Sequence, residues 1–595
     1  MTAVPATASP DEVEDVPPGT SWRILGLTAV CYALGAVAVT LLLWRHPSTA
    51  TVAGNPGDAD QFAWFFRYDA TAVAHGHLPA LVTTALNPPQ GVNAMWNTFM
   101  LLPGVLLSPL TLLAGPQASL TLLLAVGFAG SAFALFVVLR RWGVRVPSAA
   151  VAGAVYGFSP ALVHSAVGHY DLMFAVLPPL IIDAALRIAV GSLGPGRAPV
   201  LRGGLWLGAV TAAQLLTAEE LLLDTAIALV LIVAVLAASR PREFVRRIPG
   251  TLAGYGVAVA LLLVVCGYPL WVQFFGPLHQ HGSAFSPDFF KNDLAGLVTP
   301  SQLMLFHTAG SAAAAARYQG GVAEYLGYLG WPLLLVLAVI AVAGWRRLAV
   351  RAAAVTFAVL EIFALGGTLM ISGASHPGLL LPWHWLGSLP LLDAVLPDRF
   401  SILADGAAAV LLAFGADLAR RRPGVADRPA GSVLVTAVTV LAVLPIVPRP
   451  LPAATASPPP PGWSASLAAL HLPAGARVLV VPVPTATFTE PMRWQAETGQ
   501  DIGLIGGYYT GPGPGGQAYI DSGGTPPSTQ YLNGLWNGEK PLQVPARAEL
   551  QSQLAQWDPA AVLAVTGPHS RLGQYLIGLL GAPATEHGDV LAWRR

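Results

Sequence analysis

Charge is what this sequence has least of. Asp, Glu, Lys and Arg make up 10% of its 595 residues, where a soluble domain carries about 25%. With 54% hydrophobic residues and a mean hydropathy of +0.60, a chain of this length keeps so few charges only when lipid is its main solvent. Sulfur is nearly as scarce. The two cysteines, Cys31 and Cys266, both sit in apolar runs, which excludes a disulfide framework, a CxxC motif and zinc-ligand spacing. The 31 basic residues only balance 31 acidic ones, which argues against a nucleic-acid partner, since that would favour a basic surface. Ser-His-Asp patterns, HExxH, Walker loops and strand-linked GxGxxG are missing too. Lysine is almost absent (Lys291 and Lys540) amid abundant Ala, Gly, Pro and Arg, the bias of a GC-rich bacterial genome.

What is present is a series of apolar runs. Residues 1–22 hold Asp11, Glu12, Glu14 and Asp15 with several prolines, the reverse of a basic signal peptide. They read as a disordered cytoplasmic tail before a first span at Ile24–Trp44. Further runs fall at about 117–139, 148–165, 171–190, 203–218, 221–239, 250–275, 327–344, 351–372, 400–418 and 431–447. A run from Phe99 to Gly115 contains Pro103 and Pro109 and suits an interfacial or re-entrant segment as well as a span. The arginines arbitrate. If 99–115 does not cross, the clusters Arg140/Arg141/Arg145, Arg187/Arg197/Arg202, Arg240/Arg242/Arg246/Arg247, Arg346/Arg347/Arg351 and Arg420/Arg421/Arg422/Arg428 share one side with Arg23. The positive-inside rule then predicts eleven spans, N-terminus cytoplasmic and C-terminus exoplasmic, in an inner (plasma) membrane.

The expected architecture is mainly α: a polytopic transmembrane helical bundle over 23–447 with exoplasmic loops 45–98, 276–325 and 371–399. A Pro-rich linker, 448–461, leads to a small exoplasmic soluble α/β domain, 462–595. There Ala476–Pro484, Ala560–Gly567 and Asp589–Trp593 read as strands, and Ala548–Trp557 and Arg571–Leu580 as helices. All thirteen histidines fall on the outer side or at outer helix ends under this topology, as they must if cytoplasmic loops are too short to hold many residues.

The first loop opens with Asn55-Pro-Gly-Asp58-Ala-Asp60, followed by Trp64, Phe65, Phe66 and Tyr68. Two carboxylates just outside the membrane can take a proton from a hydroxyl or bind a divalent cation, Mg or Mn, through oxygen ligands; solvated turn residues would look the same. Downstream come Asn87-Pro-Pro-Gln-Gly91-Val-Asn93, then Gly157-Phe-Ser-Pro160, then Gly168-His169-Tyr-Asp171. In this order, over roughly residues 20–450, the sequence resembles the polytopic glycosyltransferases of superfamily C (GT-C), which use polyprenyl-phosphate-linked sugars. The resemblance implies a membrane glycosyltransferase, a hexosyl- or pentosyltransferase. It would pass a sugar from that donor to a glycan, lipid or protein acceptor of the cell envelope at the outer face. It also implies that Asp58 or Asp60 is the catalytic base, without saying which.

Glu219, Glu220 and Asp224 stand between two short spans, where an intramembrane ionisable group costs about 2.5–3.5 kcal/mol on insertion scales. They suggest a polar cavity, with Glu220 and Asp224 on one helical face; a solvated hairpin turn is the alternative for the two glutamates. His169, Glu219 and Glu220 are candidates to shape a sugar pocket, with Glu324 beside them. Arg317 and Arg399 are candidates for a lipid phosphate, because guanidinium binds phosphate oxygens bidentately; Asp398-Arg399 reads equally as a local ion pair. Tyr508, Tyr509, Trp494 and Trp536 could stack on sugar rings, though the Gly/Pro-rich 506–515 stretch reads first as a turn-rich loop. Two other functions remain open: a transporter or lipid translocator using Asp183 and Glu361, and a non-catalytic scaffold of the same fold.

Overall fold

A computed structural model describes residues 20–97, 99–189, 197–286, 288–421, 429–499, 501–521, 525–539, 545 and 547–595. Most of the N-terminal tail, Arg422 and Arg428 lie outside them. Among the described residues six helices are long and apolar enough to cross a membrane: Trp22–Val39, Pro116–Arg141, Val146–Ser165, Glu219–Ser239, Pro241–Phe275 and Pro397–Arg421. Trp331–Gly344 and Ala430–Ile446 are shorter apolar helices. The eleven expected runs therefore do not all appear as full-length helices. The run at 171–190 divides into Tyr170–Met173 and Pro178–Ala189. The run at 351–372 is helical only to Ala364 and then forms a strand, Thr368–Ile371, paired with Ala374–Leu380. Gly366, at φ +79°, turns the chain there, and Asp288 accepts from the Gly367 and Thr368 amides. The 99–115 run makes two short helices, Leu101–Leu106 and Ser108–Ala114.

Arginine-bearing helix ends meet at one end of the bundle. Arg141 pairs with Asp183, Arg351 donates to Ser239 and Arg420 to Ser148. The long connections gather at the other end, the loop face. Close packing inside the bundle depends on small residues, which let helix backbones approach: a Cβ on Gly157 would collide with the Ala132 backbone. The helix breaks just after Gly157, where Ser159 caps the next turn and Pro160 opens it.

The first loop is largely one helix, Pro56–Ala74, capped by Asn55 with Pro56 at its first position, where its missing N–H costs nothing. Ala59, Phe62, Ala63 and Phe66 recur at helical spacing and are buried in the bundle core. Trp64 and Phe65, on another face, join the core of the C-terminal region. That region contains a five-stranded sheet in the order Thr585–His587, Val590–Arg594, Ala561–Val565, Ala476–Val481, Ile502–Leu504. The last three strands are parallel and the first two antiparallel to their neighbours. Val478 and Val480 face the first loop. Leu479 and Val481 face helices Pro527–Trp536, Arg547–Trp557 and Arg571–Leu580. Burial on both sides explains the unbroken apolar run of the central strand. Part of the Pro-rich linker, Ala453–Thr455, pairs antiparallel with Ala50–Val52, tying it back to the first loop.

Candidate active site

A chain of polar contacts runs across the loop face. Asn55 Nδ2 donates to Asp58 Oδ2 at 2.6 Å. His169 Nδ1 lies 3.6 Å from the same Asp58 oxygen, and its Nε2 lies 2.8 Å from Glu324 Oε1. Arg399 Nη2 donates to Glu324 Oε1 at 2.9 Å, and Nη1 lies 2.9 Å from Oε2 as an ion-pair contact without a hydrogen bond. Its Nε is 3.6 Å from Asp398 Oδ1. Glu220 Oε1 accepts from the Leu396 amide at 3.2 Å and feels the Arg399 charge, as do Asp171 and Asp224. Six carboxylates thus surround one guanidinium and one imidazole.

Local sequence explains how these groups arrive together. Gly168 leaves room for Asn55, whose amide a Cβ there would strike; this brings His169 against the start of the Pro56 helix. Gly320 and Gly321, at φ +83° and +88°, turn the chain so that Glu324 ends a short 3-10 turn. A second such turn, Pro397–Arg399, opens the Phe400 helix.

Exposure divides the cluster in two. The Glu324 and Arg399 side chains are only 4% and 3% exposed, whereas Asp58 and His169 retain 13% and 19%. Asp58 and His169 therefore form the reachable surface of a buried charge network. Burial pushes Glu324 upward, but Arg399 and His169 outweigh it and hold the carboxyl at about 2. Burial and Arg399 push His169 downward, yet Glu324 and Asp58 prevail and keep the imidazole above its usual value.

Of the residues singled out in the sequence, the structure brings together Asp58, His169, Glu220, Glu324 and Arg399. It separates three others. Asp60 points away from the cluster into the C-terminal region, where Arg493 Nε and Nη2 both donate to its Oδ1 and Thr489 Oγ1 donates to its Oδ2 at 2.7 Å. Burial pushes its carboxyl up to about 6, against the pull of Arg493 and Thr489. Glu219 is turned toward Gln273 of the Pro241 helix. Arg317 is exposed beyond Ala309–Ala315, its backbone beside Gly373. Trp494 is buried against Trp463, and the Trp536 indole donates to Val565 O, so both serve the domain core. Asp183 is bonded by Arg141 and Trp142 at the arginine-bearing end. Asn55 had no signal in the sequence apart from the helix-capping pattern Asn-Pro-x-Asp, and Asp398 was legible only as a local partner for Arg399.

A divalent cation fits this donor set poorly. Both Glu324 oxygens already face Arg399 nitrogens, and among the described residues no three His, Cys, Asp or Glu side chains are grouped to hold a metal.

No known family profile matches the chain, and no curated protein matches it. Solved structures do. An arabinofuranosyltransferase, AftD from Mycobacteria, superimposes with a TM-score of 0.52 at 16% identity, covering 97% of this chain and 40% of its own. The present chain therefore spans well under half the length of that protein. The Archaeoglobus fulgidus oligosaccharyltransferase, tethered to an acceptor peptide, gives 0.48 at 11% identity over 91% of this chain and 69% of its own. ArnT from Cupriavidus metallidurans gives 0.42 at 12% identity over 95% and 98%. The fold is shared with the AftD structure.

Proposed function

We propose that the protein is a membrane glycosyltransferase. It moves a sugar from a polyprenyl-phosphate donor to a cell-envelope acceptor at the outer face of the membrane. The observation that carries this reading is Asp58: a partly exposed carboxylate, fixed by Asn55 and His169, at the mouth of a buried cluster of carboxyl groups. The acceptor hydroxyl gives its proton to Asp58 while its oxygen attacks the anomeric carbon. The bond from that carbon to the phosphate oxygen breaks, and the electron pair leaves with the lipid phosphate. Glycosyl transfer passes through a sugar with oxocarbenium character. Fixed negative charge on Glu324, held ionised by Arg399 and His169, stabilises that developing positive charge without reorganisation.

Arg399 has a different part from the one its isolated charge suggests. It is committed to Glu324, so its role is to organise the carboxylates, and exposed Arg317 is left as the guanidinium able to meet a lipid phosphate. Glu220 and His169 shape the pocket for the transferred sugar, while Asp60 and Glu219 act in packing.

The test is sugar transfer in proteoliposomes from a labelled polyprenyl-phosphate sugar. Asp58→Asn is expected to lower the rate by about 10²–10⁴, the usual worth of a general base, with membrane insertion intact. An unchanged rate would remove Asp58 from the mechanism.

A further inference from the structure

The arginine-bearing end of the bundle holds a crevice that sugar transfer does not use. It opens between three helices, Val146–Gly157, Phe400–Arg421 and Ala430–Ile446. Helical spacing builds its walls. Leu412, Ala416 and Arg420 recur at every fourth residue, Ser148 and Val151 at three, and Thr436 and Val440 at four, so each helix offers one face. Leu412 and Ala416 are buried, whereas Val440 is exposed. From Leu412 to Arg420 the helix rises about 12 Å, which makes an apolar slot two turns deep beneath the guanidinium.

Arg420 is held at the mouth by two uncharged hydroxyls. Its Nη1 donates to Ser148 Oγ at 2.8 Å and its Nη2 to Thr436 Oγ1 at 3.2 Å. Asp417, one turn back on the same helix, is engaged elsewhere: Arg421 Nε donates to it at 2.8 Å and the Arg145 amide at 3.1 Å. Among the described residues Arg420 therefore has no ion-pair partner, and only two of the five N–H donors of a guanidinium are used. Arg145, Arg420 and Arg421 together outnumber Asp417. The crevice also continues an apolar surface, because Val433, Leu434 and Leu441 of the Ala430–Ile446 helix are exposed.

We infer that this crevice binds an anionic phospholipid from the leaflet at the arginine-bearing end. The phosphodiester sits on Arg420, whose free N–H groups donate to its oxygens. One acyl chain fills the slot along Leu412, Ala416 and Val151. Excess positive charge at the mouth favours a head group with net negative charge over a zwitterionic one. A lipid seated there packs the Ala430–Ile446 helix, the last before the linker, against the bundle. The site lies at the opposite end from Asp58 and does not depend on the sugar-transfer reading.

The test is native mass spectrometry of the full-length protein in neutral detergent. It is titrated with dioleoylphosphatidylglycerol, dioleoylphosphatidylcholine or glycerol 1-phosphate. The first phosphatidylglycerol is expected to bind about 10-fold more tightly than the first phosphatidylcholine. Arg420→Gln should weaken phosphatidylglycerol binding by about 10- to 100-fold, the range for hydrogen bonds to a charged group. Val440→Trp, which fills the slot and keeps the guanidinium, should weaken it too. Arg246→Gln, exposed on the Pro241–Phe275 helix outside the crevice, should leave it unchanged. Equal affinity for the two lipids would overturn the inference, as would an equal loss in Arg246→Gln, which would mean general attraction to a basic end. Displacement of the lipid by glycerol 1-phosphate would make this a site for a free phosphate and overturn it as well. Should Arg420→Gln fail to fold, Val440→Trp decides, and unchanged lipid binding in that variant refutes the site.

Discussion

Asp58 and Asp60 should separate cleanly when each is changed to Asn. The Asp60 side chain is 1% exposed and Arg493 4%, so Asp60→Asn strands a buried guanidinium and removes the acceptor for Thr489. Breaking a buried pair by deleting one partner costs about 3–5 kcal/mol. At about 1.36 kcal/mol per tenfold, that raises the population of chains with the Glu490–Thr498 helix undocked by about 10²–10⁴. Hydrogen exchange of that helix reads this directly, as does protease cleavage between the bundle and residue 462. Asp58→Asn removes no buried ion pair, because His169 keeps Glu324 at 2.8 Å, and it should leave exchange unchanged while transfer collapses. An Asp60→Asn protein that exchanges normally but transfers no sugar would refute the division of labour between the two carboxylates.

The charge network yields two more expectations. Glu324 is held at about 2 against an ordinary 4.5, so its contribution is present in full above pH 4.5 and is lost as pH falls toward 2. That amounts to about 3 kcal/mol; Glu324→Gln should flatten this part of the acid-unfolding curve, and an identical curve would reject the network. Arg399→Gln leaves the Glu324 and Asp398 carboxylates buried without their cation, at about 3–5 kcal/mol. Arg399→Lys should recover little, because a single ammonium nitrogen cannot face both Glu324 oxygens as the two guanidinium nitrogens do; wild-type thermal stability in Arg399→Lys would show that charge alone suffices.

How much of this was legible in the sequence depended on whether the signal was local. The strand Ala476–Val481 was readable because burial on both faces leaves only apolar residues. Glu220 and Asp224 were readable as neighbours because four residues complete a helical turn, and the helix begins at Glu219. Asp58 and Asp60 looked like a pair because they are close in sequence. Once the stretch is a helix, two residues differ by about 200° around the axis, and one carboxylate faces His169 while the other faces Arg493. Adjacent Glu219 and Glu220 diverge for the same reason, toward Gln273 and toward Leu396. The Thr368 strand was hidden by composition, since Thr-Leu-Met-Ile continues an apolar run whether the backbone is helical or extended. Arg399 was ambiguous because its partner, Glu324, lies 75 positions away. No spacing rule connects residues at such a separation.

The balance of charge in the cluster constrains how a donor can approach. Asp58, Asp171, Glu220, Asp224, Glu324 and Asp398 share Arg399 and His169, and Glu324 is held firmly ionised. The one guanidinium within the cluster is already taken by Glu324, so Arg399 is not free to meet a phosphate. A neutral sugar ring needs no such cation, and a ring acquiring positive charge is stabilised by the ionised Glu324 carboxylate, more strongly where water is excluded. The same field therefore selects orientation and lowers the barrier. For the proposed lipid-linked donor, this favours entry of the sugar first, with its phosphate held away from Glu324. Bond breaking then moves negative charge away from the carboxylates and positive charge toward them. Both displacements are downhill in the potential that the fold has already set.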